Sequence, residues 1–135
     1  MIIGVGIDIV NVARIDRAIR TWGERFLHRV FSLDELNFAF SQARPALHLA
    51  GRFAAKEAVL KGLGTGLSAG MSWRNVEVLR DPSGRPSVRL TGPVRDRSVA
   101  RGVAFVHISL SHDREYAVAQ AVLEGISAVG GGLRT

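Results

Sequence analysis

The sequence predicts an α+β domain, with helices packed on a small, largely antiparallel sheet. Three observations carry that expectation. Ile3, Val5, Ile7 and Ile9 alternate with Gly4, Gly6 and Asp8, the period of a strand. Residues 45–61 are mostly small or apolar over a length that suits a helix. Two pairs of short alternating segments, 76–80 with 86–90 and 103–111 with 115–123, each flank a turn-forming stretch.

The first strand has one strongly apolar face. Its two glycines leave room on the other face for something to approach closely, with Asp8 beside that room. The segment 11–30 then reads as helical, with Val12, Ile15, Ala18, Ile19 and Trp22 on one side. Arg14, Arg17 and Arg20 step along roughly the opposite side, and Arg25, His28 and Arg29 extend the basic region against only Asp16 and Glu24. A second helix starts at Ser32, a cap with Glu35 placed to reach back and Phe31 placed to staple on Leu36. The third begins near Pro45 and runs to Lys61, where Gly62, Gly64 and Gly66 end it. Asp81-Pro82-Ser83-Gly84 suits a type I turn between two strands. Gly92-Pro93 opens a short helix. In the next strand Val106, Ile108 and Leu110 face one way, and His107, Ser109 and Ser111 the other. The order expected is strand, three helices, two strands, helix, two strands.

At 135 residues with 47% hydrophobic and 22% charged residues, the chain suits one folded domain, assigned to residues 1–125. Residues 126–135 read as a flexible glycine-rich tail. No apolar run approaches the ~18 residues of a membrane span, and Asp8 interrupts the apolar start, so a signal peptide or anchor is not expected. The cytoplasm is the expected compartment. The absence of cysteine excludes disulfides and thiolate metal sites. A formal charge of +6 favours an acidic partner, whether nucleic acid, anionic membrane or acidic protein.

Glu57 and Lys61 stand one turn apart beside the buried side of the third helix. As a bare pair they stabilise a helix by ~0.2–0.5 kcal/mol. A carboxylate and an ammonium in such apolar surroundings also suit phosphate-transfer chemistry. Asp8, on its glycine-rich face, needs a partner, either an arginine or a cation, because an unpaired buried carboxylate is costly. Magnesium takes one or two carboxylates and completes its shell with water and substrate phosphates. Asp8 and Glu57 are the two candidates, with Lys61 to neutralise a transferring phosphate. His107, with Ser109 and Ser111, is either a satisfied core residue or a phosphate contact. Gly62-Leu63-Gly64-Thr65-Gly66 lacks the Lys-Ser/Thr pair of a nucleotide loop and follows a helix, so it reads as a helix exit. The arginine face is a solvated surface, a nucleic-acid patch or a dock for an acidic helix. Few exposed-looking aromatics accompany it and no nucleic-acid motif is present, which disfavours the second.

Three segments together closely resemble the holo-[acyl-carrier-protein] synthases, the small bacterial type of 4'-phosphopantetheinyl transferase. They are Gly4-Val5-Gly6-Ile7-Asp8-Ile9-Val10, then Gly51-Arg52-Phe53-Ala54-Ala55-Lys56-Glu57-Ala58 through Gly66, and Val106-His107-Ile108-Ser109-Leu110-Ser111-His112. The resemblance reaches to about Gly125, and its central segment is the most specific. It implies transfer of the phosphopantetheine arm of coenzyme A to a serine of apo acyl carrier protein, releasing 3',5'-ADP, in support of fatty-acid synthesis. It further implies magnesium held by Asp8 and Glu57, Lys61 at the leaving phosphate, and contacts to coenzyme A from His107, Arg52 and Ser109. The serine hydroxyl must lose a proton to attack; Glu57 could accept it directly or through a metal-bound water, and the choice of base stays open. Carrier proteins of this class are acidic, so Arg14, followed by Arg17 and Arg20, is the expected docking set. A homotrimer with active sites at subunit junctions is implied too, with neither nucleic acid nor membrane as partner. Two rivals remain at the level of sequence. A nucleic-acid module would have no need of Asp8 or Glu57, and a silent assembly protein of the same fold would bind a carrier without modifying it.

Overall fold

The computed structural model describes residues 1–68 and 70–126, so the expected tail lies, except for Ile126, outside the described residues. The chain runs β1 (Ile2–Asn11), α1 (Val12–Trp22), α2 (Glu24–Val30), α3 (Leu33–Phe40), α4 (Pro45–Leu63), a 3₁₀ turn (Trp73–Asn75), β2 (Val76–Arg80), β3 (Pro86–Leu90), α5 (Gly92–Ala100), β4 (Val103–His112) and β5 (Tyr116–Gly125). All pairing is antiparallel, in a three-stranded sheet ordered β1-β5-β4 and a two-stranded sheet β2-β3. The α+β expectation holds, with the strands divided between two sheets.

The segment 11–30 is two helices, where sequence suggested one. Gly23 breaks it at φ 54, ψ −131, a conformation unfavourable to residues with a Cβ. Its N–H caps α1 on the Ile19 carbonyl at 2.8 Å, and α2 sets off from it in a new direction. The Ser32–Glu35 capping box forms as expected at the start of α3. At the 81–84 turn, the Gly84 N–H donates to the Asp81 carbonyl at 2.8 Å.

Helix α4 is the centre of the fold. Pro45 occupies its first turn, alanines fill its interior, and Gly64 at φ 78 closes it in the left-handed region. Leu49, Ala50, Ala54, Ala55, Ala58, Val59 and Leu63 are fully buried. The sheet face beneath it is made of small or apolar residues in register: Gly6 beside Ala121 beside Ile108, then Asp8 beside Ala119 beside Leu110. Lys56 and Glu35 form a wholly buried ion pair at 2.9 Å that ties α4 to α3. Glu35 also accepts the Val78 N–H at 2.7 Å, so β2 joins the same network. Burial pushes the Lys56 ammonium below its usual range, and Glu35 opposes that shift.

The other face of the three-stranded sheet is open. Val5, Ile7 and Ile9 are 55%, 61% and 64% exposed. The strongly apolar side of β1 therefore points outward, and the glycine side packs inward. Ile3 leaves the alternation at an irregularity between Ile2 and Gly4.

Candidate active site

The site grows from the contact of β1 with α4. A Cβ on Gly4 would collide with the Gly62 carbonyl oxygen, and one on Gly6 with that of Ala58. Two glycines in strand period thus let the helix rest on the strand's backbone. Asp8 comes next on the same face and meets Lys61, whose Nζ donates to Asp8 Oδ1 at 2.8 Å and to the Ile7 carbonyl at 3.1 Å. Asp8 is the sheltered member, its side chain 16% exposed against 51% for Lys61.

Glu57 does not close an ion pair with Lys61. Its Oε2 instead accepts the indole N–H of Trp73 at 2.6 Å. The structure pairs Asp8 with Lys61 at one end of the β1–α4 contact, and Glu57 stands one turn before Lys61 on the same helix. The donor chemistry fits magnesium: two carboxylates on neighbouring elements and a lysine beside them. Among the described residues no group of three or more acidic or histidine side chains is gathered to enclose a cation. A cation here would complete its shell with water and substrate phosphates, as magnesium does.

Arg52 lies one turn before Lys56 and is buried, in a separate cleft of about 370 Å³ between α4, the β2–β3 hairpin and the end of β4. His48, Arg80 and His112 line the cleft with it, and among the described residues no carboxylate does. Arg52 and Arg80 stack on Phe38 with their guanidinium carbons 4.5 and 4.7 Å from the ring centre. The Nε of Arg52 is buried with no hydrogen-bond acceptor among the described residues. Burial lowers the Arg52 pKa, Glu35 opposes the shift and Arg80 adds to it. His48 is lowered first by burial, then by Arg52, His112 and Arg80. Such a cleft is built for an anion. Sequence reasoning named Arg52 but missed His48, Arg80 and His112. The i, i+4 spacing of His48 and Arg52 on α4 was the available signal.

His107 and Ser109 lie elsewhere, on the open face of the sheet opposite α4, in register with Val5 and Ile7 across β5. His107 Nε2 pairs with Glu124 Oε1 at 2.9 Å, and its ring stacks on Phe105. The structure does not bring His107 or Ser109 to Asp8 and Glu57 within the chain.

Arg14, Arg17 and Arg20 are exposed on α1, and none forms an ion pair among the described residues. A second cleft, about 380 Å³, opens where α1, α2, α4 and the 3₁₀ turn meet, lined by Trp22, Phe26, Phe53 and Trp73 with Arg25 and Arg29. Trp22, placed by its spacing on the apolar side of α1, is 59% exposed there. Trp73 thus borders both this cleft and Glu57. Its signal in the sequence was an indole N–H just after a glycine-rich loop, which needs an acceptor once half-buried.

A family model described as the 4'-phosphopantetheinyl transferase superfamily matches residues 4–121. A holo-[acyl-carrier-protein] synthase of Halorhodospira halophila is 50% identical over 91% of this chain and 98% of its own length. The crystal structure of the holo-[acyl-carrier-protein] synthase of Neisseria meningitidis superposes with a TM-score of 0.83 at 35% identity, over 92% of this chain and 99% of that one. The synthase of Bacillus anthracis, solved in complex with CoA (3',5'-ADP), superposes with a TM-score of 0.77 at 37% identity, over 93% and 99% of the two chains.

Proposed function

Since the chain belongs to the holo-[acyl-carrier-protein] synthase family of the 4'-phosphopantetheinyl transferase superfamily, we propose that it transfers the 4'-phosphopantetheine group of coenzyme A to a serine of apo acyl carrier protein. The products are holo carrier protein and 3',5'-ADP, and the reaction supports fatty-acid synthesis. The observation that supports this reading is the Asp8–Lys61 pair at the β1–α4 contact, with Glu57 one helical turn before Lys61, within the residues that the family model matches.

The serine oxygen attacks the pantetheine-bearing phosphorus of the pyrophosphate, and the bond from that phosphorus to the bridging oxygen breaks. The bridging oxygen leaves with 3',5'-ADP. Asp8 and Glu57 would hold a magnesium ion, which would supply charge neutralisation on the pyrophosphate. Glu57, partly buried and anchored by one oxygen, takes the serine proton. Lys61 shifts from Asp8 to the leaving phosphate, within the reach of its exposed ammonium. The cleft of Arg52, His48, Arg80 and His112 receives a further phosphate of coenzyme A, and the unpartnered Nε of Arg52 supports an anionic occupant there.

The carrier protein docks on Arg14, Arg17 and Arg20, together with Arg25 and Arg29 at the mouth of the aromatic cleft. The subunits form a homotrimer through the open sheet face, whose exposed valine and isoleucines need covering. In that assembly His107 and Ser109 of one subunit join the site of a neighbour and contact coenzyme A. Residues 1–125 make up the catalytic domain, and the cytoplasm is the compartment. Incubating an apo acyl carrier protein with this protein, coenzyme A and magnesium should add one phosphopantetheine to its intact mass, and EDTA should abolish the gain. No gain on a carrier confirmed to be apo would reject the proposal.

A further inference from the structure

Three residues of α4, Phe53, Lys56 and Glu57, contact Trp73. The Lys56 ammonium accepts no bond and donates three, to Glu35, to the Trp73 carbonyl at 3.2 Å and to the Val76 carbonyl at 2.5 Å. Those last two fix the backbone at both ends of the 3₁₀ turn. Ser72 and Asn75 fix it further through a reciprocal capping box. The indole ring packs on Phe53 with centroids 5.8 Å apart. With the backbone held and the ring against Phe53, the indole N–H donates to Glu57 Oε2 at 2.6 Å. Glu57 Oε1 takes no hydrogen bond among the described residues.

We infer that Trp73 is a positioning residue for the reaction: it fixes one oxygen of the Glu57 carboxylate and so turns the other toward the cation and the incoming serine. An unheld glutamate at a helix surface samples several rotamers, and fixing it removes that loss from the binding step. The buried Lys56–Glu35 pair then has a task beyond the core, because it anchors the turn that carries Trp73. The inference rests on the reading of Glu57 as a metal-holding carboxylate, and the experiment separates the two.

The chain has two tryptophans, so protein labelled with nitrogen-15 at the indole gives two indole signals. Glu57→Gln should move the Trp73 signal upfield, and Trp22→Phe identifies which signal that is. Manganese affinity of the coenzyme A complex, followed by electron paramagnetic resonance without carrier protein, gives the second readout. Trp73→Phe keeps the ring and removes the donor, and should weaken manganese by about 10-fold. Adding it to Glu57→Gln should cost nothing more. An indole signal indifferent to Glu57→Gln overturns the inference even if Trp73→Phe does not fold. So does a Trp73→Phe variant with wild-type manganese affinity, whose only change is a raised KM for carrier protein. Manganese affinity that is untouched by Glu57→Gln itself overturns the metal reading of Glu57, and the inference with it.

Discussion

At the scale of single residues, the anion cleft sets up a proton linkage. His48 sits below its ordinary value of 6.5, chiefly through burial and then through the positive charge of Arg52, His112 and Arg80. It is therefore neutral in the free protein at about pH 7.5, and its contribution to stability, present above about 6.5, is lost as pH falls below that. A phosphate bound among those cations cancels their repulsion and raises the histidine's pKa again. Coenzyme A binding should accordingly take up protons and tighten as pH is lowered from about 8 toward 6.5, where the coenzyme's phosphates stay largely ionised. Calorimetry in buffers of differing ionisation enthalpy measures the proton count, and His48→Gln should reduce it. Binding with no buffer dependence over that range would remove His48 from the coenzyme site. Individual residues were unevenly legible in the sequence. Asp8, Glu57 and Lys61 stood out because each is charged within a locally apolar pattern, an anomaly visible without knowing the fold. His48, Arg80 and His112 were hidden because three different elements deliver them, and only long-range packing makes them neighbours.

At the scale of elements, the β1–α4 contact does the positioning. Helix and strand backbones touch at Gly4 and Gly6, and Asp8 is set against Lys61 by that spacing. Gly6→Ala inserts a methyl group where the Ala58 carbonyl lies, so the helix has to lift from the sheet. The expected cost is about 1–3 kcal/mol in urea unfolding, with a loss of turnover larger than stability alone explains, because Lys61 and Glu57 ride on the displaced helix. An alanine variant with wild-type turnover would show that the close approach is not what sets the site. The alternation of β1 was legible from sequence, and so was the need for something to approach its glycine face. What approaches was not legible, since a helix backbone leaves no mark in a strand's own residues. Gly23 illustrates the same limit: its neighbours on both sides are helix formers, and only its positive φ reveals that α1 ends and α2 turns away.

At the scale of the whole molecule, the proposed homotrimer rests on the open face of the three-stranded sheet. Val5, Ile7 and Ile9 lie in register with Val122, Gln120 and Val118 of β5, and Phe105 and Tyr116 border them, both largely exposed. Covering each such aliphatic side chain contributes up to about 1.5–3 kcal/mol, and a contiguous apolar patch of this kind marks an interaction surface. His107 and Ser109 stand on that same face, turned away from their own Asp8 and Glu57. A homotrimer that buries the face would supply each site with the histidine of a neighbour. Light scattering should then give three times the 14.6 kDa subunit mass, and Ile7→Asp should reduce it toward one subunit with loss of turnover. Complementation is the sharper measurement. Glu57→Gln and His107→Ala should each be poorly active alone, yet regain turnover when unfolded and refolded together, because mixed trimers contain junctions with both residues intact. If the mixture stays as inactive as its parts, His107 does not complete a neighbour's site, and the sheet face is an assembly surface with no share in the chemistry.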